Sequence, residues 1–220
     1  IAELGFGNSK VFSTTFVEQY NDAILHISVD ASGSMGGDKW TNTMTAVVAI
    51  CKAASMISGL DVVVSFRTTH YSSRVGQPLV AIGFDSRVDK FRKIENIWPS
   101  LHPGGTTPEG LCYEAIMKDF VGGTNNRDSY FLNFSDGQPM FSGDGFEYYG
   151  DQALHHTRKQ VKEIVKKGIS VMSYFVGDSQ YDRSRNMDDF KTMYGKDAQF
   201  IDVTKVSSLA KTMNNLFLEK

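Results

Sequence analysis

Short apolar runs alternate with stretches of helical periodicity along most of the chain. The run at residues 24–29 is rich in apolar and β-branched side chains and predicts a buried strand. Apolar residues then recur at helical spacing from Lys39 to Ser58, and Gly59 supplies a stop signal. The same alternation predicts further strands at residues 61–66, 79–84, 129–134, 169–176 and 199–203, and further helices at residues 88–97, 108–120, 152–167, 187–194 and 206–218.

This order of elements predicts an α/β fold. Strands that alternate with helices are typical of a mostly parallel central sheet with helices on both faces, the doubly wound Rossmann-like arrangement. A short turn-like segment separates residues 61–66 from 79–84, so we expect one antiparallel edge strand there. We expect residues 24–220 to form the domain, and residues 1–23 to be an N-terminal extension or to add an edge strand near residues 11–16.

Length, charge and cysteine content narrow the classes of function. The 220 residues suit one domain. Lys and Arg total 23 against 25 Asp and Glu, so there is no basic excess to indicate nucleic-acid binding. No apolar run approaches the roughly 18 residues that span a bilayer, and no signal-peptide pattern is visible, so we expect no membrane association. Cys51 and Cys112 lack disulfide or metal-ligand spacing and favour reduced core thiols in a cytoplasmic protein.

Hydroxyl and carboxylate side chains follow the predicted strands at several points. Asp30, Ser32 and Ser34 form an Asp-x-Ser-x-Ser motif just past the first strand. A Gly-Gly-Thr-Thr segment ends at Thr107, before a predicted helix, and Asp136 comes directly after a later strand. Because ligands of this architecture bind at the carboxyl ends of strands, we expect these side chains to share one edge of the sheet. Hard divalent cations such as Mg²⁺ prefer oxygen ligands, so the cluster predicts a metal site.

Together these motifs resemble the metal-ion-dependent adhesion site of von Willebrand factor A (VWA) domains, which reads Asp-x-Ser-x-Ser, then Thr, then Asp. The resemblance implies that Ser32, Ser34 and Thr106 contact the cation directly. It also implies that Asp30 is hydrogen-bonded close by or coordinates through water, and that Asp136 acts mainly through water.

The resemblance covers roughly residues 22–218, with the three parts in the order of the family. Thr106 or Thr107 could supply the threonine ligand, and the position straight after the two glycines favours Thr106. We expect Mg²⁺, with Mn²⁺ or Ca²⁺ as alternatives. Two aspartates and three neutral hydroxyls leave such an ion an electrophilic open position, which a carboxylate from a protein partner can fill.

Each motif by itself also has a purely structural explanation. Ser, Gly and Asp are ordinary turn and helix-cap residues, so residues 30–37 and 136–137 could be simple turns. Their joint placement at three loops of one sheet edge is what favours a metal site. His155 and His156 have no carboxylate or cysteine at ligand spacing, so we expect solvated surface histidines and no zinc site.

Enzymatic motifs are missing from the sequence. The chain has no Gly-x₄-Gly-Lys-Ser/Thr phosphate loop, no Gly-x-Gly-x-x-Gly after a strand and no Gly-x-Ser-x-Gly nucleophile motif. A Mg²⁺-dependent hydrolase that uses Asp30 as nucleophile is a minor alternative, because the Asp-x-Asp arrangement that would hold Mg²⁺ beside it is absent. We therefore expect a binding domain and no enzyme.

One stretch narrows the resemblance further. The segment from Ser135 to Gln152 looks similar to the C-terminal VWA domain of the cobaltochelatase subunit CobT and its relatives. That resemblance implies an adaptor whose cation grips an Asp or Glu of a MoxR-type AAA+ ATPase or of its client. A cell-surface or extracellular adhesion domain is the alternative.

Overall fold

The computed structural model describes residues 22–72, 75–117, 127–177, 180–195 and 198–202, with the backbone alone for 180–185 and 198–202. These residues form the strands β1 (Ala23–Asp30), β2 (Leu60–Ser72), β3 (Val75–Asp85), β4 (Asp128–Ser135), β5 (Phe141–Gly143), β6 (Phe146–Tyr148), β7 (Ser170–Gly177) and β8 (Ala198–Asp202). They also form the helices α1 (Asp38–Ala54), α2 (Arg92–Ile97), α3 (Glu109–Ile116), α4 (Gly150–Lys166) and α5 (Gln180–Tyr194), with 3₁₀ turns at Gly33–Met35 and Trp98–Ser100.

Six strands form the central sheet, in the order β3-β2-β1-β4-β7-β8. Neighbouring strands are parallel except β2 and β3, which form an antiparallel pair at one edge. The predicted doubly wound α/β fold with one antiparallel edge strand is therefore confirmed. The chain leaves β1 toward β2 on one side and returns to β4 on the other, so the carboxyl ends of β1 and β4 flank the switch point where such folds bind ligands.

Helices cover both faces of the sheet because alternate side chains of each strand point to opposite sides. On β4, Leu132 and Phe134 belong to the core cluster that contains Met44 and Val47 of α1. Phe131, which precedes Leu132 on the strand, belongs to the other cluster, which includes residues of α3, α4 and α5. Cys51 on α1 and Cys112 on α3 are buried free thiols, as predicted. No helix of the described residues is long and apolar enough to cross a bilayer.

Helix α1 ends at Ala54, earlier than the predicted Ser58. The Ser55 hydroxyl donates to the Lys52 carbonyl at 2.7 Å, which competes with continued helix. Ile57, the last apolar residue of the helical spacing, is 49 % exposed and does not face the core. The apolar pattern therefore predicts a longer helix than this segment forms.

Other boundaries also differ from the prediction. Strand β2 runs beyond the predicted residue 66 to Ser72, because the Thr and Tyr side chains at positions 68, 69 and 71 suit extended backbone as well as Val does. Strand β3 begins at Val75, inside the segment predicted as turn-like. Helix α5 begins at Gln180 and not at the predicted Met187. Its first half is too polar to show apolar periodicity, so the sequence pattern does not reveal the earlier start. Residues 138–149, which lie between the predicted strand at residues 129–134 and the predicted helix at residues 152–167, contain the β5–β6 hairpin. The predicted helix at residues 206–218 and edge strand at residues 11–16 lie outside the described residues, and the predicted domain division stays a prediction.

Candidate metal centre

Backbone hydrogen bonds bring two of the predicted loops together at the carboxyl edge of the sheet. The Gly104 amide donates to the Ala31 carbonyl at 2.8 Å, and the Gly33 amide donates to the Gly105 carbonyl at 3.1 Å. The loop after β1 and the loop before α3 are thus joined through their main chains. These two bonds do not involve the hydroxyl side chains that the loops carry.

Asp30 lies fully buried at the end of β1. Its Oδ1 accepts a hydrogen bond from the Ser32 amide at 2.8 Å. Its Oδ2 accepts one from the Ser135 hydroxyl at 2.9 Å. Because Ser135 ends β4, this second bond ties the ends of two neighbouring strands. Asp30 is therefore hydrogen-bonded to the backbone of the serine motif, and its role toward a cation stays a prediction.

A chain of side-chain oxygens runs from the first motif to the third. The Ser32 and Ser34 hydroxyls lie 3.0 Å apart. The Ser34 hydroxyl donates to Asp136 Oδ1 at 2.7 Å, although the two residues are 102 positions apart in the chain. The structure therefore brings the Asp-x-Ser-x-Ser motif and Asp136 into direct contact, as the sequence predicted.

Gly105 has a conformation that its neighbours require. Its φ is 75°, and a Cβ at this position would lie 2.6 Å from the Thr69 carbonyl oxygen. A side chain would therefore both strain the backbone and clash with β2. This close approach keeps the next residue, Thr106, beside the strand.

The two threonines of this loop have different surroundings. Thr106 is partly exposed, and its hydroxyl lies 2.6 Å from the Thr69 hydroxyl. Thr107 is buried, and its backbone carbonyl accepts a hydrogen bond from the Met140 amide at 2.8 Å. Both line the same cleft as Ser32 and Asp136. The choice of Thr106 as the ligand stays a prediction.

Negative charge is concentrated at this edge. Burial raises the pKa of Asp30 to about 6, against the effect of the Arg67 guanidinium and with added repulsion from the Glu109 and Asp136 carboxylates. A divalent cation beside Asp30 would favour its ionised form. The Ser, Thr and Asp side chains that line the cleft offer hydroxyl and carboxylate oxygens, which are ligands of hard cations. The residues present therefore fit such an ion.

Lys39 is a residue of this site that the sequence analysis missed. Its ammonium group donates to Asp136 Oδ2 at 2.9 Å, across 97 positions of the chain. The Lys39 side chain is 15 % exposed and the Asp136 side chain 1 %. No local pattern marks this lysine among the other lysines of the chain. Only the packing of α1 beside the loop after β4 reveals it.

We call Asp30, Ser32, Ser34, Thr106 and Asp136 the oxygen cluster. An open cleft of about 730 Å³ lies over it. Its rim includes the loop after β4 and the start of α4, with Met140 52 % exposed and Tyr149 60 % exposed. Asp30 lies beneath the cleft and not on its surface. The cleft therefore offers hydroxyl and carboxylate oxygens from below and apolar surface at its side.

The histidines of α4 do not build a competing site. His155 is exposed, as predicted. His156 is partly buried, which corrects the expectation of a solvated ring: its Nδ1 lies 3.0 Å from the Tyr148 hydroxyl, and burial lowers its pKa. This contact links β6 to α4. In the part of the chain that the structure describes, no three His, Cys, Asp or Glu side chains form a group that could hold a metal.

Comparison with known sequences does not assign the chain to a family. No protein-family model matches the chain. Among curated proteins, the uncharacterized protein YojO of Bacillus subtilis is 26 % identical over 206 residues. That alignment covers 90 % of this chain and 30 % of YojO, so the chain spans about a third of its relative.

Comparison with solved structures shows the fold. The pilus adhesin SpaC of Lactobacillus rhamnosus GG in its open conformation matches with a TM-score of 0.62 and 13 % identity, over 91 % of this chain and 31 % of SpaC. The vWF domain of the type V pili tip protein Mfa5 of Porphyromonas gingivalis matches with a TM-score of 0.63 and 8 % identity, over 91 % of this chain and 97 % of that domain.

A third structure is proximal thread matrix protein 1 from the mussel byssus, described as having a zinc-occupied MIDAS motif. It matches with a TM-score of 0.61 and 13 % identity, over 90 % of this chain and 46 % of that protein. At these identities the likeness concerns the fold alone. The chain therefore has the fold of a VWA domain, with the oxygen cluster at the carboxyl edge of its sheet.

Proposed function

We propose that this domain binds a protein partner through a divalent cation held at the oxygen cluster. The observation that carries the proposal is the contact between Ser34 and Asp136, which joins the loops after β1 and β4 at the floor of an open cleft. A turn with a purely local role does not require contact between its hydroxyl and the carboxylate of a distant loop. The contact lies at the switch point of the sheet, where such folds bind ligands.

The residues that would hold the cation follow from which side chains line the cleft. Ser32, Ser34 and Thr106 line the cleft and would supply hydroxyl ligands. Asp30 is buried and both its carboxylate oxygens are hydrogen-bonded. It would therefore orient the serine loop, residues 31–37 after β1, and offset part of the positive charge of the cation. Asp136 would contribute through water or through Ser34. Mg²⁺ suits this set, with Mn²⁺ or Ca²⁺ as alternatives, and when bound it supplies an attractive open position for a carboxylate.

The partner would present an Asp or Glu side chain. The exposed Met140 and Tyr149 beside the cleft would contact apolar groups next to that acidic residue. A hydrolase that uses Asp30 as nucleophile is disfavoured, since this side chain is fully buried and both its oxygens accept hydrogen bonds. We therefore assign binding and no catalytic step to the site.

Two kinds of partner remain for the whole protein. An adaptor for a MoxR-type AAA+ ATPase is the narrower prediction, and it rests on the resemblance of the segment from Ser135 to Gln152. An adhesion role draws support from the fold shared with SpaC and Mfa5, which are pilus proteins. The oxygen cluster serves either role, because both require a cation that grips an acidic residue.

Capture of partners from a lysate of the source cells tests the proposal. The immobilised domain would be exposed to the lysate in Mg²⁺ and in EDTA, with Ser34→Ala as the site variant and Ser58→Ala as the control. Ser58 is exposed just before β2, at the opposite end of that strand from the cluster. Mass spectrometry would identify what is retained.

We expect retention that needs both Mg²⁺ and Ser34 and that survives in Ser58→Ala. Retention of an AAA+ ATPase or its client supports the adaptor role, and retention of a surface protein supports adhesion. Retention that ignores both the metal and Ser34 would contradict the proposal, because the cluster would then be a structural turn.

A further inference from the structure

Lys39 places a positive charge inside the proposed cation site. Its ammonium group contacts Asp136 Oδ2, while the Ser34 hydroxyl contacts Oδ1 of the same carboxylate. Both oxygens of Asp136 therefore already have donors. Lys39 belongs to the first turn of α1, which starts directly after the serine loop, so its position is set by the same elements as the site.

The charge balance of the site depends on this contact. Asp30 and Asp136 are the carboxylates of the oxygen cluster, and Lys39 offsets one of the two negative charges. Because the Asp136 side chain is only 1 % exposed, solvent screens this pair less than it would screen a surface pair. A cation placed at the hydroxyls would feel repulsion from the ammonium group and a weakened attraction from Asp136.

We propose that Lys39 lowers the affinity of the site for its cation and raises the affinity of the bound cation for a partner carboxylate. The inference deepens the proposed function and rests on it. A cation that receives less negative charge from Asp136 keeps more of its own positive charge toward the open cleft. The lysine thus favours charge compensation by the partner over compensation by the protein.

The two effects have opposite signs, which separates this role from a structural one. Lys39→Met removes the charge at nearly constant length, and Lys39→Arg keeps it. If Lys39 merely held the loop after β4 in place, its loss would weaken both cation binding and carboxylate binding. If it sets the balance, its loss strengthens the first and weakens the second.

The test measures both affinities in purified protein. Mn²⁺ binding would be followed by the electron paramagnetic resonance signal of free Mn²⁺. Glutarate, a small dicarboxylate probe, would then be titrated by calorimetry at saturating Mn²⁺. Lys162→Met is the matched control, since Lys162 is exposed on α4 and the variant makes the same change in net charge. Urea unfolding would check that each variant folds cooperatively.

For Lys39→Met we expect Mn²⁺ to bind about fivefold more tightly and glutarate about fivefold more weakly than in the unmodified protein. Lys39→Arg and Lys162→Met should stay within about twofold of it in both measurements. Unchanged or weaker Mn²⁺ binding by a folded Lys39→Met protein overturns the inference about Lys39. Failure of the unmodified protein to bind Mn²⁺ would instead overturn the proposed function.

Discussion

The Arg67 guanidinium donates a hydrogen bond to Glu109 Oε1 at 2.7 Å, and both side chains are fully shielded from solvent. The same guanidinium donates to the Ser28 hydroxyl at 2.9 Å and to the Phe134 carbonyl at 3.2 Å. Glu109 begins α3, with one residue between it and the threonine loop, residues 104–107. One buried ion pair therefore ties β1, β2, β4 and α3 together behind the oxygen cluster.

Breaking this pair should strongly destabilise the fold. Arg67→Met leaves the Glu109 carboxylate buried without its cation, and we expect a loss of about 3–5 kcal/mol in the free energy of unfolding. Urea unfolding followed by circular dichroism measures it. The double variant Arg67→Met/Glu109→Leu should lose less than the sum of the single variants, because it leaves no unpaired charge. Additive losses would show that the two side chains do not act as a pair.

Gly105 and Gly104 form a matched pair for testing the threonine loop. Gly105→Ala places a Cβ 2.6 Å from the Thr69 carbonyl at a φ of 75°, so the loop must move. A Cβ on Gly104 meets no atom within 4 Å. We expect Gly105→Ala to lose at least about 1 kcal/mol of stability and to weaken Mn²⁺ binding, while Gly104→Ala changes neither by much. Equal behaviour of the two variants would mean that the close approach of this loop to β2 does not position Thr106.

His26 should make stability depend on pH. Burial lowers its pKa from 6.5 to about 3, with the Arg87 charge acting in the same direction and Asp85 opposing it. The unfolded chain therefore takes up a proton between pH 6.5 and about 3 that the folded chain does not. Stability from this group is complete above pH 6.5 and falls by about 1.4 kcal/mol per pH unit below it.

The variant His26→Gln isolates this effect, because other groups titrate identically in both proteins. Asp30, for example, has a raised pKa and stabilises the fold as the pH falls through about 6. From pH 7.5 to pH 5.0 in EDTA, the unmodified protein should lose about 2 kcal/mol of stability relative to His26→Gln. A difference that stays constant over this range would contradict a neutral buried ring.

The apolar rim should contribute to partner binding without affecting the cation. Tyr149 is 60 % exposed beside the cleft. Tyr149→Ser should weaken binding of the captured partner about tenfold, since exposed aromatic side chains commonly anchor interfaces. Mn²⁺ affinity should not change. The matched variant is Tyr71→Ser, at an exposed tyrosine near the end of β2 that does not line the cleft. Equal losses in both variants would argue against a specific rim contact.

Much of the fold follows from local sequence pattern. The strands β1, β4 and β7 are short and mostly apolar, and β1 and β4 could be bounded to within a residue because polar loops follow them. The oxygen residues Asp30 and Asp136 could be placed at one edge for the same reason. Segments of mixed polarity give no such signal: α5 lacks apolar periodicity in its first half, and β5 and β6 are three residues each.

The remaining parts of the site depend on contacts between distant residues. Lys39 meets Asp136, and Arg67 meets Glu109, only after α1, α3 and the sheet have packed together. In their local sequence, neither Lys39 nor Arg67 differs from a charged residue on the solvent-exposed surface. The sequence could therefore predict the oxygen cluster, whose members follow strands, but not the charged side chains that adjust it.

The proposed binding of a partner depends most directly on whether the oxygen cluster binds a cation. Calorimetric titration of MgCl₂ and MnCl₂ into EDTA-treated, dialysed protein measures this, with Ser34→Ala and Ser58→Ala as variants of matched chemistry. We expect one cation per chain in the unmodified protein and in Ser58→Ala, and a loss of roughly 10–100-fold in affinity in Ser34→Ala. The three proteins should unfold at nearly the same urea concentration. Equal cation binding by all three, or none by the unmodified protein, would contradict the assignment of the cluster as a metal site.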